Sequence, residues 1–158
     1  MILYHGTNMP FDAIDLSKSK TNKDFGKGFY LSDSYEQAAE MAKFKVVTLG
    51  GSVIVNRYEV DDSILSDKML RIKIFEEYSQ EWAEFVFENR KNSTDVSIHD
   101  FDIVYGPIAN DKVGLQIRKL QDGSIDFEEF LNRLKYMKGI TFQYFFGTQL
   151  AISKLKRL

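Results

Sequence analysis

The chain has 158 residues and carries 21 lysines and arginines against 23 aspartates and glutamates, so its net charge is −2. This balance does not favour a dedicated nucleic-acid-binding protein. The absence of cysteine excludes disulfides and thiolate metal sites, and the two histidines, His5 and His99, are too few for a multi-histidine metal centre.

The length predicts one domain, spanning residues 1–158. The first residues lack the basic region and apolar run of a secretory signal, and no stretch reaches the roughly 18 apolar residues of a membrane helix. We therefore expect a cytoplasmic protein that has no metal and no membrane partner.

The first predicted element is a strand over residues 1–5, which ends at Gly6. A polar segment dotted with lysines follows over residues 8–27. We predict a long surface loop there, and loops of this length are uncommon unless they are functional or disordered. Residues 28–31 are predicted to be extended, and the sequence Asp-Ser-Tyr-Glu at 33–36 resembles a capping box that begins a helix.

A Gly-Gly turn at residues 50–51 separates that helix from a β-branched strand over residues 52–60. Residues 76–91 have the periodicity of an amphipathic helix. The apolar segment 101–109 predicts a strand that is broken by the Gly-Pro pair at 106–107.

The last third of the chain predicts two helices, over residues 111–121 and 126–137, the second with Met137 on its apolar face. An aromatic strand follows over residues 140–148, and the basic segment 153–158 is a further strand or helix. Strands therefore lie near both ends with helices between them, without regular βαβ alternation, which predicts an α+β fold.

Three segments stand out for chemistry. "HGT" closes the first strand, "GKGFYLSD" follows the lysine-dotted loop and precedes a helix, and "FQYFFGT" forms the aromatic strand near the C-terminus. This combination resembles the ADP-ribosyltransferase superfamily, on its diphtheria-toxin and poly(ADP-ribose) polymerase side with a His-Tyr-Glu triad. It is most similar to a small bacterial branch with "DFGKGFYL", "NR", "DIVYGPIANDK" and a glutamine at the third position, and the resemblance covers nearly the whole chain.

The resemblance implies a fold of two packed, mainly antiparallel sheets that form an NAD cleft surrounded by helices. It implies that His5 hydrogen-bonds a ribose hydroxyl of NAD, that the Gly6 backbone meets the nicotinamide amide, and that Tyr30 stacks on the nicotinamide ring. Gln143 takes the position of the catalytic glutamate, and Gln149 is the alternative if the register differs.

The same resemblance completes the set of cofactor-binding residues with Thr7, Gly26, Gly28 and Met41, and makes residues 17–27 the loop that covers the dinucleotide. Met41 falls near the position of a stacking tyrosine in the polymerases, and a thioether also packs well on an aromatic ring. The lysines of the loop have two interpretations: they form a phosphate-binding patch, or they are an ordinary solvated surface.

The residue types fit the chemistry. Cleavage of the bond between nicotinamide and ribose develops an oxocarbenium ion, as in glycoside cleavage, and the leaving group is already positively charged. Gln143 accepts a hydrogen bond from a ribose hydroxyl but cannot act as a base. We therefore expect mono-ADP-ribosyl transfer from NAD to a macromolecular target rather than chain elongation.

Several alternatives stay open. They are NAD hydrolysis, a non-catalytic module that binds NAD or ADP-ribose, and RNA 2′-phosphotransfer on a related fold. The bacterial branch also implies the toxin of a toxin–antitoxin or phage-defence pair, neutralised by a small antitoxin protein. Asn89, Arg90 and Asp111 are interpreted as caps or surface polar residues, and His99 as a loop or surface histidine.

Overall fold

The computed structural model describes residues 1–135 and 139–158, with the backbone alone at Lys135. Within these ranges it is an α+β fold of seven strands and five helices. The strands are β1 (Ile2–Thr7), β2 (Phe29–Leu31), β3 (Ile54–Glu59), β4 (Ile72–Ile74), β5 (Ile103–Pro107), β6 (Phe142–Phe146) and β7 (Lys156–Arg157). The helices are α1 (Tyr35–Leu49), α2 (Gln80–Lys91), α3 (Asp111–Gln121), α4 (Phe127–Lys135) and α5 (Gln149–Ile152).

The strands form two sheets of mainly antiparallel pairing. One has the order β1-β3-β7 and the other the order β2-β6-β5-β4, in which only β4 and β5 run parallel. Tyr4 in β1 and Ser32 after β2 exchange two backbone hydrogen bonds, of 2.7 and 2.9 Å. This contact joins the two sheets at the segments that carry the first two motifs.

Two apolar clusters fill the interior. One packs α2, α3 and α4 against β5 and β6 and is centred on Trp82, whose indole N–H donates to the Pro107 carbonyl at 3.1 Å. The other lies between the two sheets and includes Leu3, Tyr58 and Phe146. The β2–β6 strand pair contributes to both clusters, because successive side chains of a strand face opposite sides.

Local capping explains where the helices begin. The Ser34 hydroxyl accepts from the Gln37 N–H, and Ser79, Asn110 and Asp126 cap α2, α3 and α4 in the same way. The predicted helices over residues 33–49, 76–91 and 111–121 are therefore confirmed within a few residues. None of the helices in the described ranges has the length and apolar character needed to cross a membrane.

The structure corrects two predicted strand ends. Gly6 does not end β1 but lies inside it, where a Cβ atom would stand 1.9 Å from the Ala38 carbonyl oxygen of α1. The missing side chain lets helix and strand approach each other closely. Likewise, the Gly-Pro pair at residues 106–107 does not break β5 but completes it.

Two further differences concern elements rather than ends. The strand β4 was not predicted, because its three residues are too few to show an alternating pattern. Helix α5 was not predicted either, whereas the basic C-terminal segment contains a strand, β7, which was one of its two predicted forms and pairs with β3. The predicted position of Met137 on a helix face lies outside the described residues.

Candidate functional site

Three neighbouring strands bring the candidate triad segments together. Strand β2 pairs with β6 so that Tyr30 stands opposite Phe145, and β1 reaches the end of β2 through the bridge to Ser32. Residues directly opposite each other, and residues two apart on one strand, share a face of the sheet. The side chains of Tyr30 and Gln143 therefore lie on the same face of β2 and β6.

The histidine is neutral and has one nitrogen available. His5 Nδ1 lies 2.7 Å from the Tyr30 carbonyl oxygen, which can only accept, so Nδ1 carries the proton. The ring stacks on Phe29 with 4.1 Å between centroids. Burial, with the nearby ammonium groups of Lys45 and Lys23, lowers the pKa of His5 to about 3. Nε2 is therefore an unprotonated acceptor.

The tyrosine holds the end of the loop over residues 8–27 in place. The Tyr30 hydroxyl donates to the Gly26 carbonyl at 2.6 Å and accepts from the Phe25 N–H at 3.0 Å. Its ring packs edge-on against Phe145. Burial raises the pKa of Tyr30 well above its ordinary value, so the phenol stays neutral over the physiological range.

The glutamine is oriented by an acidic residue of the same loop. Gln143 Nε2 donates to Asp24 Oδ2 at 3.1 Å. Asp24 also accepts from Arg90 Nε at 2.7 Å and from the Ala109 N–H at 3.2 Å. Because the carboxylate takes the amide nitrogen, the Gln143 carbonyl oxygen is the end of the amide that can serve a ligand.

The second candidate glutamine lies elsewhere. Gln149 is exposed at the start of α5, beyond the other end of β6. Six residues separate it from Gln143, which amounts to roughly 20 Å along an extended strand. Of the two, only Gln143 shares the face of Tyr30, and the geometry therefore favours Gln143 as the third site residue.

Lysine side chains lie beside these residues. Lys23 Nζ stands 4.9 Å above the centroid of the Tyr30 ring, and Lys45 Nζ donates to the Gly6 carbonyl at 2.8 Å. Burial and the like charges of Lys23 and Lys20 lower the pKa of Lys45 to about 8. Burial and Lys20 also lower the pKa of Lys23. We call Lys20, Lys23 and Lys45 the lysine cluster.

The Gly6 backbone points towards this cluster. Tyr4 uses both its N–H and its C=O on Ser32, so these groups face away from β3. Backbone groups two residues apart on a strand point the same way, so those of Gly6 also face away from β3, on the side where Lys45 donates to the Gly6 carbonyl. This is the place that the sequence resemblance gives to the nicotinamide amide.

The remaining predicted cofactor residues have local structural roles. Thr7 ends β1 with a turn in which its hydroxyl bonds the Met9 backbone. A Cβ atom at Gly28 would stand 2.1 Å from the Phe145 ring. Gly26 has a positive φ of 95°, and a Cβ there would meet Asn89 at 2.9 Å. Packing within the protein therefore accounts for both glycines.

Met41 lies on α1 one turn before Lys45 and is 49% exposed. Its side chain is thus at the surface of the helix whose buried face, at Ala38 and Ala42, packs against β1. The prediction that Met41 contacts the nicotinamide ring stays a prediction.

Sequence reasoning missed Asp24 and underrated Arg90 and His99. Arg90 was interpreted as a cap or surface residue, yet its guanidinium pairs with Asp24 and donates to the Ala109 carbonyl at 2.8 Å. His99 lies in a loop, as predicted, but it is half-buried and bonds the backbone of Phe25 and Phe101. For Arg90, the available sequence signal was the polar pair "NR" within the resemblance.

Two other kinds of site, a metal site and a surface pocket, were sought among the described residues. Across residues 1–135 and 139–158, no group of three or more histidine, aspartate or glutamate side chains is placed to hold a metal ion. A surface depression of about 440 Å³ is lined by residues that take no part in the triad segments: Asp61, Ser63, Ile64, Asp67 and Lys154. The candidate site therefore rests on the junction of β1, β2 and β6, beside which Lys23 and Lys45 lie.

Comparison with known proteins gives a family but no activity. No curated protein matches the chain. A family model described as a protein of unknown function, DUF3990, matches residues 1–157. Because this match spans essentially the whole chain, the protein belongs to the DUF3990 family.

Proposed function

We propose that this protein is a mono-ADP-ribosyltransferase that transfers ADP-ribose from NAD to a macromolecular target and releases nicotinamide. In this proposal the two sheets form an ADP-ribosyltransferase-like fold, and the gap between β1 and β2 is the NAD cleft. The observation that carries it is the adjacency of β1, β2 and β6, which gathers the three motif segments at one junction.

The contents of the gap support nicotinamide as the group bound there. The Tyr30 ring holds one ammonium group on its face and the Gly6 carbonyl accepts from another. A site that binds a cation on an aromatic face and a hydrogen-bond donor at a carbonyl suits the nicotinamide of NAD⁺, which has a cationic ring and an amide N–H. On binding, nicotinamide displaces Lys23 and Lys45 from these two positions.

In this proposal the displaced lysines bind another part of the same ligand. Like charges that are partly buried together raise the free energy of the empty site, and an anion between them lowers it. The diphosphate of NAD supplies such an anion. The lysine cluster therefore favours a dinucleotide over free nicotinamide. This agrees with the interpretation of the loop lysines as a phosphate-binding patch.

The proposed reaction needs no strong acid. The bond between ribose C1′ and the nicotinamide nitrogen breaks, its electron pair leaves with nicotinamide, and an oxocarbenium ion develops. A nucleophile of the acceptor then bonds to C1′ and loses its proton to solvent. His5 Nε2 and the Gln143 carbonyl oxygen accept hydrogen bonds from ribose hydroxyls and hold the sugar while the charge develops.

A second candidate is a non-catalytic module that binds NAD or ADP-ribose. It is favoured by the Gln143–Asp24 contact, in which an amide replaces the carboxylate of the triad and Asp24 is itself paired with Arg90. The amide cannot offset a developing cation with a full charge.

The biological setting that goes with the enzyme is a cytoplasmic toxin restrained by a small antitoxin protein.

The test is release of nicotinamide from NAD by the purified full chain, with and without cell lysate. The variants are Tyr30→Ala and Gln143→Ala, with Gln149→Ala as the matched control because that glutamine is exposed. We expect release that depends on lysate, is lost in the first two variants and is unchanged in the third. Thermal unfolding of each variant separates loss of activity from loss of fold.

The other outcomes are equally informative. Release without lysate identifies an NAD glycohydrolase, and NAD binding without any release identifies the binding module. A loss confined to Gln149→Ala moves the third site residue to α5. If the wild-type protein neither binds NAD nor releases nicotinamide, the proposal is wrong.

A further inference from the structure

Two buried side-chain atoms have no hydrogen-bond partner among the described residues, Asn56 Nδ2 and the Tyr58 hydroxyl. Asn56 is 8% exposed and lies in β3 directly opposite His5 of β1. Opposite residues of an antiparallel pair share a face, with Cβ atoms about 5 Å apart. An unsatisfied buried donor therefore stands beside the first candidate site residue.

The orientation of the Asn56 amide follows from its other contact. Arg157 donates to Asn56 Oδ1 at 3.0 Å, and a guanidinium can only donate, so the oxygen faces Arg157 and the nitrogen faces away from it. The same arginine donates to the carbonyls of Phe11 and Asp12. Arg157 thus holds the start of the long loop over His5 and fixes the amide at the same time.

The unused groups on the two strands are complementary. Asn56 Nδ2 is a donor, and His5 Nε2 is an acceptor because Nδ1 carries the proton and the ring is neutral. A buried donor without a partner destabilises the empty site, so a ligand group that accepts from it gains affinity. The common group that accepts from an amide and donates to an imidazole at once is a hydroxyl.

We propose that Asn56 Nδ2 and His5 Nε2 together bind one hydroxyl of a sugar, which makes Asn56 a binding residue of the site. The identity of that sugar as the nicotinamide ribose of NAD rests on the proposed function. The hydroxyl donates its proton to His5 and accepts from Asn56. Aldehyde, carboxylate or amide groups cannot fill both roles through one atom.

Tyr58 provides the matched control. It lies two residues further along β3, on the same face, and its ring packs edge-on against Phe29 with 5.6 Å between centroids. Its hydroxyl is the other unpartnered buried atom, but its opposite residue in β1 is Leu3 rather than His5. A general effect of buried polar atoms, or of a bound structural water, falls on both residues.

The experiment is a thermodynamic cycle on the full chain. Calorimetry measures the affinities of wild type, Asn56→Leu and Tyr58→Phe for NAD and for two analogues that lack the 2′- or the 3′-hydroxyl of the nicotinamide ribose. In wild type, one analogue is expected to bind about tenfold more weakly than NAD. Asn56→Leu is expected to bind NAD about tenfold more weakly than wild type does. Its affinity for that analogue is expected to be close to that of wild type, because the hydrogen bond is already absent. Tyr58→Phe is expected to bind all three ligands as wild type does.

Nitrogen NMR of the wild-type protein keeps the test independent of any variant. The chain has two histidines, so the four ring nitrogens can be assigned with a His99→Asn variant. We expect NAD to shift the unprotonated Nε2 resonance of His5, and the deoxy analogue to leave it unchanged. Two results overturn the inference: additive losses of affinity from Asn56→Leu and from removal of the hydroxyl, or an Nε2 resonance of His5 that NAD does not shift. In both cases the proposed function stands as long as the protein binds NAD. Absence of NAD binding overturns both.

Discussion

The side chain of Gln143 donates to the Asp24 carboxylate at 3.1 Å, across 119 positions of the chain. This contact ties the aromatic strand β6 to the loop over residues 8–27, two of the segments on which the site depends. It also leaves the carbonyl oxygen as the end of the glutamine amide that is free to bind a ligand. The Gln143 side chain is thus oriented by the aspartate that opens the segment "DFGKGFYL", a residue to which the sequence resemblance gave no role.

The contact predicts how a carboxylate at position 143 is tolerated. Gln143→Glu removes the donor and places like charges together, so we expect the free energy of unfolding to fall by about 1–3 kcal/mol. In an Asp24→Asn background the cost is expected to be smaller by about 1 kcal/mol, because the repulsion is gone. Urea unfolding of the four proteins measures this coupling. Equal costs in both backgrounds would contradict the arrangement.

Arg90 carries a second prediction. Its partner Asp24 has a side chain only 13% exposed, so Arg90→Gln leaves a mostly buried carboxylate without its charge partner. We expect a loss of about 1–3 kcal/mol of stability. The control is Lys43→Gln, which breaks an exposed pair with Glu40 and is expected to leave stability nearly unchanged. Similar losses for the two variants would count against a structural role for Arg90.

Acid sensitivity follows from the histidines. Burial lowers the pKa of both His5, to about 3, and His99. The unfolded chain therefore binds more protons than the folded one below pH 6.5, and stability falls as the pH drops from there, towards about pH 3 for His5. Each group adds a slope of up to about 1.4 kcal/mol per pH unit.

The measurement is the urea midpoint between pH 7 and pH 4.5. His99 accepts from the Phe101 N–H and donates to the Phe25 carbonyl, so it cannot be protonated without losing a bond. His99→Asn is expected to lower stability at pH 7 and to flatten the pH dependence. A pH dependence as steep as that of wild type would show that His99 does not contribute to it.

Lys45 links the proposed function to ionic conditions. Its ammonium has a pKa lowered to about 8, so we expect affinity for NAD to weaken above pH 8, as well as at high salt. Lys45→Gln is expected to weaken binding about tenfold. Lys43→Gln, two residues earlier and exposed, is the control and should bind as wild type does. Unchanged binding by Lys45→Gln would remove the lysine cluster from the proposed NAD site.

Much of the secondary structure was predictable because its causes are local. The helix α3 begins and ends at the predicted residues, Asp111 and Gln121, although Gly114 lies inside it. The glycine is not a defect there, because a Cβ atom would stand 2.6 Å from a guanidinium nitrogen of Arg90. Caps and apolar periodicity act within one or two turns, so they are visible in the chain itself.

The same reasoning placed Gly6 at a strand end and Arg90 on a surface, and both were misjudged for one reason. The feature that explains each residue is another element, α1 for Gly6 and the Asp24 loop for Arg90. The contacting residues, Ala38 for Gly6 and Asp24 for Arg90, lie 32 and 66 positions away along the chain. Contacts of this kind leave no periodic trace in the sequence.

The sequence alone determined an α+β domain, most of its helices and strands, and the three segments in which chemically distinctive residues occur. Those properties depend on backbone preferences and on apolar patterns over a few residues. Only the tertiary structure decided that the segments meet, that Asp24 orients Gln143, that Lys45 bonds the Gly6 carbonyl, and that Asn56, with an unpartnered Nδ2, pairs with His5 across β1 and β3. Those relationships arise when distant strands pair, because pairing and burial select the partners of each polar group.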